Sequence, residues 1–160
     1  RQQYDFDAIS LQPTNLYGVG DNFDPLSSHV IPGIMRRMHE AKLNGDTEFW
    51  CWGDGSPLRE FLYIDDMAEA CYACMENYSD PEIINIGTGY DISIKELTEV
   101  IAEVVGYTGD IKWDTTKPNG TPRKVMNVDK LLGLGWKPKV DMVEGLTKTY
   151  EWFKENYDRI

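Results

Sequence analysis

The sequence contains 160 residues, of which 41% are hydrophobic and 27% are charged. This balance predicts one packed domain of ordinary size and excludes an intrinsically disordered segment. The 16 lysines and arginines are outnumbered by 27 aspartates and glutamates, which gives a formal net charge of −11. We expect no nucleic-acid partner, because nucleic acids bind to basic surfaces. No apolar run approaches the ~20 residues that span a bilayer, so we expect no membrane partner.

The first residues and the cysteines predict the setting of the chain. Arg1 begins the sequence and a strand-like run follows at once, so we expect a piece of a longer chain. The polar first seven residues lack the apolar stretch of a signal peptide. Three cysteines are an odd number in a chain too large to need disulfides, which predicts a reducing, cytoplasmic setting.

The first half of the chain contains one helical pattern among strand-like segments. Pro32 is tolerated near the start of this helix, where a backbone N–H has no helical partner. Ile34, Met38 and Ala41 share one helical face. In chain order we expect a strand at residues 7–11, a loop at 13–18, a helix at 27–41, a strand at 48–52, a tight turn at 53–57 and an extended segment at 59–64.

Capping signals define the helices of the second half. Asp65 or Asp66 can cap the first of them, and Ser93 with Glu96 forms a capping box before the second. In chain order we expect a helix from 65 or 66 to about 78, a strand at 83–86, a turn at 87–89, a helix over 94–104, a strand at 111–114, a polar loop at 117–124, a short helix at 129–134 and a terminal helix opened by Asp141.

Strands and helices thus alternate with short connections, which predicts a mixed α/β fold in one compact unit. We expect the N-terminal strand and the strand at 83–86 to belong to the edge of a parallel sheet whose other strands are missing from the sequence.

Cys71 and Cys74 have a spacing found in redox and zinc sites, but they lie inside the helix that follows Asp66. A thiolate is stabilised at a helix N-terminus rather than within a helix. There is no second cysteine pair, and neither histidine is near in sequence. We interpret both cysteines as small core residues and expect no metal site.

The two histidines lie in one predicted helix. His29 follows Ser27 and Ser28 at the mouth of this helix, where a capping or surface role is the plain interpretation. His39 lies between Met38 and Glu40, and we expect it to face solvent without a functional role.

Cations recur near aromatic residues and glycines in this acidic chain. Guanidinium groups bind phosphate through paired hydrogen bonds, and an indole face can stack on a base. The pattern is compatible with a nucleotide diphosphate site and equally with solvated surface charge around a core tryptophan. The residues concerned are Arg36, Arg37, Trp52, Arg59, Lys117, Arg123 and Lys124.

Six motifs in a fixed order make a specific resemblance. The sequence resembles the C-terminal half of the GDP-L-fucose synthases, a family of extended short-chain dehydrogenase/reductases, over its whole length. The motifs at 65–68 and 87–89 are shared with other nucleotide-sugar epimerases and dehydratases, whereas those at 28–32 and 117–124 are narrower signals. The motifs are PTNLYG (13–18), SHVIP (28–32), WGDG (52–55) with REF (59–61), DDMA (65–68), NIGTG (85–89) and KPNGTPRK (117–124).

The resemblance implies an α/β fold that is the C-terminal part of an extended Rossmann-type reductase, mainly its small mixed α/β substrate-binding domain. Residues 1–160 would form this domain, with a late Rossmann strand and loop retained at 1–18 and the dinucleotide-binding half absent. Enzymes of this family use NADPH and generally form homodimers.

The resemblance also implies the reaction. Members of the family epimerise C3 and C5 of GDP-4-keto-6-deoxy-D-mannose and reduce C4 to give GDP-L-fucose. Protons next to a ketone are acidic, and inversion needs one group to remove a proton and another to return it. His29 matches the acid of this pair, since an imidazole can donate a proton near neutral pH. Its partner cysteine lies in the other half of the family's chain.

Binding roles follow from the same motifs. For the cofactor NADP, the resemblance implies Pro13, Thr14, Asn15, Leu16 and again His29. For the GDP-sugar, it implies Arg37, Trp52, Arg59, Asn119 and Lys124. Asn119 stands where the family often has an aspartate, so we expect a modest change in affinity and none in reaction type.

Two motifs needed for the complete reaction are not found among the segments that match the family. The sequence has no Gly-x-Gly-x-x-Gly turn for a dinucleotide pyrophosphate. Tyr4, Tyr17 and Tyr63 each lack a lysine four residues later, so none of them begins the Tyr-x-x-x-Lys motif whose tyrosine would protonate the reduced carbonyl. We therefore expect these residues alone to be inactive. Two other functions remain open: another nucleotide-sugar epimerase or dehydratase of the same superfamily, or a non-catalytic nucleotide-sugar-binding module.

Overall fold

The structure, a computed structural model, describes residues 1–160. It contains nine short strands, five α-helices and a final 3-10 turn at Tyr157–Arg159. In chain order the elements are β1 (Leu11–Pro13), β2 (Asn15–Tyr17), α1 (Val30–Asn44), β3 (Glu48–Trp52), β4 (Leu58–Arg59), β5 (Phe61–Tyr63), α2 (Ile64–Asn77), β6 (Ile84–Ile86), β7 (Ile92–Ser93), α3 (Ile94–Val105), β8 (Asp110–Asp114), β9 (Arg123–Lys124), α4 (Asp129–Gly133) and α5 (Met142–Asn156).

The strands form four small sheets in which parallel pairing dominates. β1 pairs with β6, β2 with β5 and β3 with β8, all in parallel. In the fourth sheet β4 lies between β7, which is antiparallel to it, and β9, which is parallel. The predicted mixed α/β class is confirmed, and the N-terminal strand and the strand at 84–86 belong to a parallel sheet as predicted, in which they pair with each other.

Two hydrophobic clusters hold the elements together. The larger one lies between α1, α3 and α5 and the inner face of β3, and includes Met38, Ile101 and Phe153. The smaller one packs α2 against β6 and α4, with Cys74 and Leu131 fully buried. Burial of apolar surface at both clusters is the main favourable term for folding.

Several predicted boundaries are wrong for local reasons. The strand predicted at 7–11 begins only at Leu11, because the preceding residues fold back through an Arg1–Asp7 ion pair and a bond from Arg1 Nε to the carbonyl of Ala8. The loop predicted at 13–18 contains β2. The polar loop predicted at 117–124 ends in β9.

Helix starts were predicted with mixed success. The capping box of Ser93 and Glu96 is confirmed, and Asp141 caps α5 through the N–H of Glu144. α1 begins at Val30 rather than at 27, because Asp24 Oδ1 accepts from the N–H groups of Leu26 and Ser27 and holds this segment in a turn. Neither predicted aspartate caps α2.

α2 instead starts at Ile64 directly after β5, with Tyr63 in the capping position and no side-chain cap. Asp66 turns into the protein, where it is 2% exposed and accepts hydrogen bonds from the N–H groups of Lys139 and Val140. This carboxylate therefore anchors the segment before α5. None of the helices combines the length and the apolar character needed to cross a membrane.

Candidate functional site

His29 lies between two cavities. It precedes α1 in an extended conformation, and its carbonyl accepts from the N–H of Gly33 while its side chain makes no capping bond. The imidazole is exposed and lines both a cavity of about 520 Å³ and one of about 400 Å³. A titratable group at the junction of two cavities can face ligands in both of them.

The larger cavity contains three of the predicted cofactor residues, Thr14, Asn15 and Leu16, together with His29. Thr14 Oγ1 and Asn15 Nδ2 both donate to the carbonyl of Glu60, at 3.2 Å and 2.8 Å. Pro13 does not line this cavity; it ends β1 opposite Ile86.

Asp21 also faces the larger cavity. Its Oδ1 accepts from the N–H of Asn22 at 2.7 Å, while its buried Oδ2 has no hydrogen-bond partner. Burial raises the pKa of this carboxyl group, and the nearby His29 opposes that effect. The cavity therefore offers one unsatisfied acceptor close to the imidazole.

The lining of the larger cavity suits the nicotinamide end of a dinucleotide. Leu16, Pro32 and Phe61 provide apolar surface, and Thr14 and Asn15 provide polar groups beside it. A flat ring with one amide substituent matches such a mixture. The residues present thus fit this end of the cofactor, whereas the sequence has no Gly-x-Gly-x-x-Gly turn to bind its pyrophosphate.

The smaller cavity brings His29 together with Arg37 and Trp52. Arg37 is held by its Nη1 donating to the carbonyl of Trp50 at 3.3 Å and lies 5.0 Å from the ring centre of Phe49. Trp52 is 74% exposed, which is unusual for an indole. A fixed guanidinium and an open aromatic face suit an anionic ligand that carries a flat base.

Arg59 and Lys124 form a second group that does not line the cavities beside His29. They are register partners on the parallel strands β4 and β9. Arg59 Nη1 donates to its neighbour's carbonyl at Leu58, and Lys124 is exposed. Two cations on adjacent strands make a local positive patch in an acidic chain.

Asn119 lies between the two groups. Its Oδ1 accepts from the N–H of Asp54 at 2.8 Å and lies so close to Gly53 that a Cβ there would clash with it. Gly53, next to Trp52, also has a φ of +78°, so both the contact with Asn119 and the left-handed backbone conformation require glycine there. On the other side, a Cβ on Gly120 would lie 3.7 Å from Arg59 Nη2. The loop at 119–120 therefore lies next to Gly53 on one side and near Arg59 on the other.

Trp52 is also approached by Lys117, whose Nζ lies 5.8 Å from the ring centre. The stretch 117–124, singled out in the sequence as a narrow motif, thus contributes to both groups through residues that flank Asn119. Of the remaining cations of the pattern, Arg36 also lines the smaller cavity but pairs with Glu40, and Arg123 pairs with Asp91.

Glu60 is the residue that the sequence analysis missed. It is fully buried, and its carboxylate accepts from the backbone N–H groups of Thr88, Gly89 and Met126 at 2.6–2.7 Å. The available signal was a glutamate directly before the apolar run Phe61-Leu62-Tyr63, where a charged side chain is rarely buried without partners.

The prediction for His39 is wrong. It is 9% exposed, and its Nδ1 lies 2.9 Å from Tyr150 Oη between α1 and α5. Burial, with a contribution from Lys42, lowers the pKa of this imidazole. The residue faces the core because it lies four positions after Met35 and eight after Ile31, within the broad apolar stripe of α1.

The prediction of a core position holds fully for Cys74 and partly for Cys71. Cys74 is completely buried, and Cys71 is half-buried. Burial raises the pKa of the Cys74 thiol, which disfavours the reactive thiolate. No group of three or more histidine, cysteine or acidic side chains is arranged to hold a metal ion.

Comparisons with known proteins agree on one family. The model of the NAD dependent epimerase/dehydratase family matches residues 1–87. The chain is 56% identical over 156 residues to a putative GDP-L-fucose synthase 2 of Arabidopsis thaliana, covering 98% of this chain and 48% of that protein. It is 47% identical over 167 residues to a GDP-L-fucose synthase of Escherichia coli (strain K12), covering 99% and 52%.

A solved structure gives the same result for the fold. A GDP-L-fucose synthetase from Naegleria fowleri bound to NADP superposes with a TM-score of 0.88 at 34% identity, over 94% of this chain and 48% of that one. The resemblance found in the sequence is thereby confirmed. The chain spans about half the length of the curated relatives it matches.

Proposed function

The chain belongs to the NAD dependent epimerase/dehydratase family, and from this premise we propose that it is the substrate-binding half of a GDP-L-fucose synthase. The substrate would be GDP-4-keto-6-deoxy-D-mannose, epimerised at C3 and C5 and reduced at C4. Residues 1–160 would form the substrate-binding domain, with residues 1–18 contributed to the cofactor-binding sheet.

The position of His29 between two cavities carries this proposal. One cavity holds Thr14, Asn15 and Leu16, and the other holds Arg37 and Trp52. An enzyme that epimerises and reduces one sugar needs its proton donor beside both the sugar and the cofactor. A merely structural histidine would have a ring nitrogen bonded within the protein, as His39 has at Nδ1.

In the proposed mechanism, each residue has a physical task. Trp52 stacks on the guanine base, and Arg37, Arg59 and Lys124 neutralise the diphosphate. The exposed imidazole of His29 returns a proton to the carbon that has been deprotonated from the opposite face. Thr14, Asn15 and Leu16 would hold the nicotinamide end of NADPH, which would supply the hydride for the reduction of C4 when bound.

The proposal includes inactivity of these 160 residues alone. Their one Tyr-x-x-x-Lys spacing, from Tyr150 to Lys154, lies in α5, where Tyr150 is 5% exposed, bonded to His39 and outside both cavities beside His29. No tyrosine of that motif therefore faces the site to protonate the carbonyl oxygen during reduction. We expect no NADPH oxidation when the chain is mixed with the 4-keto sugar, and measurable turnover would contradict this. It also includes a homodimeric complete enzyme and a cytoplasmic setting, the latter supported by three free cysteines.

Calorimetric titration of the chain with GDP and with UDP tests the proposal. We expect GDP to bind at least about tenfold more tightly than UDP, a difference of about 1.4 kcal/mol. Equal or tighter binding of UDP would favour an epimerase or dehydratase for another nucleotide sugar. Binding of neither nucleotide would contradict the proposal.

A further inference from the structure

The carboxylate of Glu60 is buried and accepts four hydrogen bonds. Its Oε1 accepts from the N–H groups of Thr88 at 2.6 Å and Gly89 at 2.7 Å, and from Thr88 Oγ1 at 3.3 Å. Its Oε2 accepts from the N–H of Met126 at 2.7 Å. The side chain is 0% exposed, so these charge-assisted bonds must offset the loss of water around a carboxylate.

The main chain of the same residue reaches the cofactor side. The carbonyl of Glu60 accepts from Asn15 Nδ2 at 2.8 Å and from Thr14 Oγ1 at 3.2 Å. Both side chains line the larger cavity beside His29. One residue therefore contacts the cofactor-side loop through its backbone and the turn at 87–89 through its side chain.

The two cations assigned to the substrate lie close in sequence to residues that form these contacts. Arg59 is the last residue of β4 and directly precedes Glu60. Lys124 is the last residue of β9 and lies two residues before Met126. The two cations are register partners. The bond from Met126 to Oε2 fixes the chain just beyond Lys124, at the point where β9 ends.

A carboxylate is needed because donors approach both of its oxygens. A glutamine could accept at one end only, since its amide nitrogen carries two hydrogens. It would direct these hydrogens at the N–H of Met126 or at those of Thr88 and Gly89. Gly87 is matched to the same arrangement, because a Cβ there would clash with Oε1.

We propose that Glu60 is a positioning residue that sets the spacing between the cofactor-side loop at 14–16 and the cations Arg59 and Lys124. The inference rests on the proposed function, since it assigns those cations to the nucleotide. It explains the glycine-rich turn at 87–89 as the partner that holds the carboxylate in place. A displacement of about 1 Å between binding groups can lower a reaction rate about 100-fold, so a residue that fixes this spacing affects function. We call this arrangement of Glu60 with the turn at 87–89 and Met126 the clamp.

The test compares Glu60→Gln with Asp66→Asn. Asp66 is a matched control because it is also buried and accepts from two backbone N–H groups, but those belong to Lys139 and Val140, which line neither cavity beside His29. Both variants should lower the Tm. At a temperature where all three proteins are folded, GDP affinity should fall about tenfold or more in Glu60→Gln and less than about twofold in Asp66→Asn.

Equal losses in the two variants would overturn the inference, because they would show a general effect of destabilisation. Wild-type protein that fails to bind GDP would overturn the proposed function and the inference with it, so the two failures are distinguishable. If Glu60→Gln does not fold, Gly87→Ala displaces the carboxylate by one methyl group and should weaken GDP binding in the same way. Unchanged GDP affinity in a folded Gly87→Ala protein would count against the clamp.

Discussion

The two histidines of the α1 region occupy opposite environments only ten residues apart. His29 is exposed at the start of the helix and its side chain bonds to nothing in the chain, whereas His39 is buried and bonded to Tyr150. The open region around His29 has free polar groups that a ligand can satisfy. The packed region around His39 has satisfied groups that hold α1 against α5. Residues that can bind a ligand therefore lie in the open region around His29, and residues that stabilise the fold lie in the packed region around His39.

The packed region should respond most strongly to loss of an aromatic side chain. Phe153 is fully buried, with ring centres 4.6 Å from Phe23 and 5.3 Å from His39. Phe153→Ala should reduce the free energy of unfolding by about 3–5 kcal/mol, because it removes apolar contacts and leaves a cavity. Urea denaturation measures this change. Met75→Ala, at a 71% exposed position on α2, is the control and should change stability by less than about 0.5 kcal/mol.

The open region should show the converse response. Trp52→Ala should weaken GDP binding about tenfold or more, since stacking on one base contributes about 1–3 kcal/mol, and should leave the Tm nearly unchanged. Calorimetry and thermal melting measure the two effects. Tyr72→Ala removes an aromatic ring of similar exposure on α2 and serves as the matched control. A Trp52 variant that melts early but binds normally would break the proposed division.

The pH dependence of stability should sharpen the comparison at His39. Burial lowers the pKa of this imidazole in the folded protein. The unfolded chain therefore binds the proton more readily, so the stability contribution is complete above the unfolded pKa of about 6.5 and is lost as the pH falls through the folded value. Glu40 opposes the shift, while Lys42 and Lys154 support it.

His39→Asn removes this titration and can place an amide oxygen near Tyr150. We expect the Tm of the variant to fall less steeply than that of the wild type between about pH 7 and pH 5. Thermal melts in a series of buffers measure the slope. Parallel curves for the two proteins would contradict the assignment of this pH dependence to His39.

The smallest expected effect lies on the open side, at Asp21. A positively charged imidazole favours the ionised form of a neighbouring carboxyl group. His29→Gln should therefore raise the pKa of Asp21 beyond the increase that burial already causes. Carbon-13 NMR of the Asp21 carboxyl group measures this value directly. An unchanged value would show that the two groups across the cavity do not interact.

Features set by neighbouring residues could be predicted from the sequence. The capping box of Ser93 and Glu96 needs only four residues, and the strand at 48–52 was predicted with its observed bounds because Glu48, Trp50 and Trp52 alternate with Phe49 and Cys51. The family resemblance identified the candidate site residues because its motifs are also local patterns. The structure places these residues in different groups. His29, Arg37 and Trp52 line one cavity, while Arg59 and Lys124 pair on neighbouring strands.

Features set by distant contacts could not be predicted. The donors to Glu60 lie 28, 29 and 66 residues away in the chain, so no local pattern reveals them. The register of β4 and β9 has the same origin. The wrong prediction for His39 has a different cause. The helical spacing of Ile31, Met35 and Met38 already indicates the buried face of α1, but the prediction of solvent exposure used only the polarity of histidine.

The tryptophan indoles allow the most direct measurement of the central claim. The chain has five tryptophans, of which Trp52 lines the cavity beside His29 and Trp136 lies buried in the smaller cluster. Titration with GDP, followed by NMR of the five indole N–H signals, should shift the Trp52 signal in a saturable manner and leave that of Trp136 in place. A saturable shift of Trp136 with a stationary Trp52 signal would contradict the site described here.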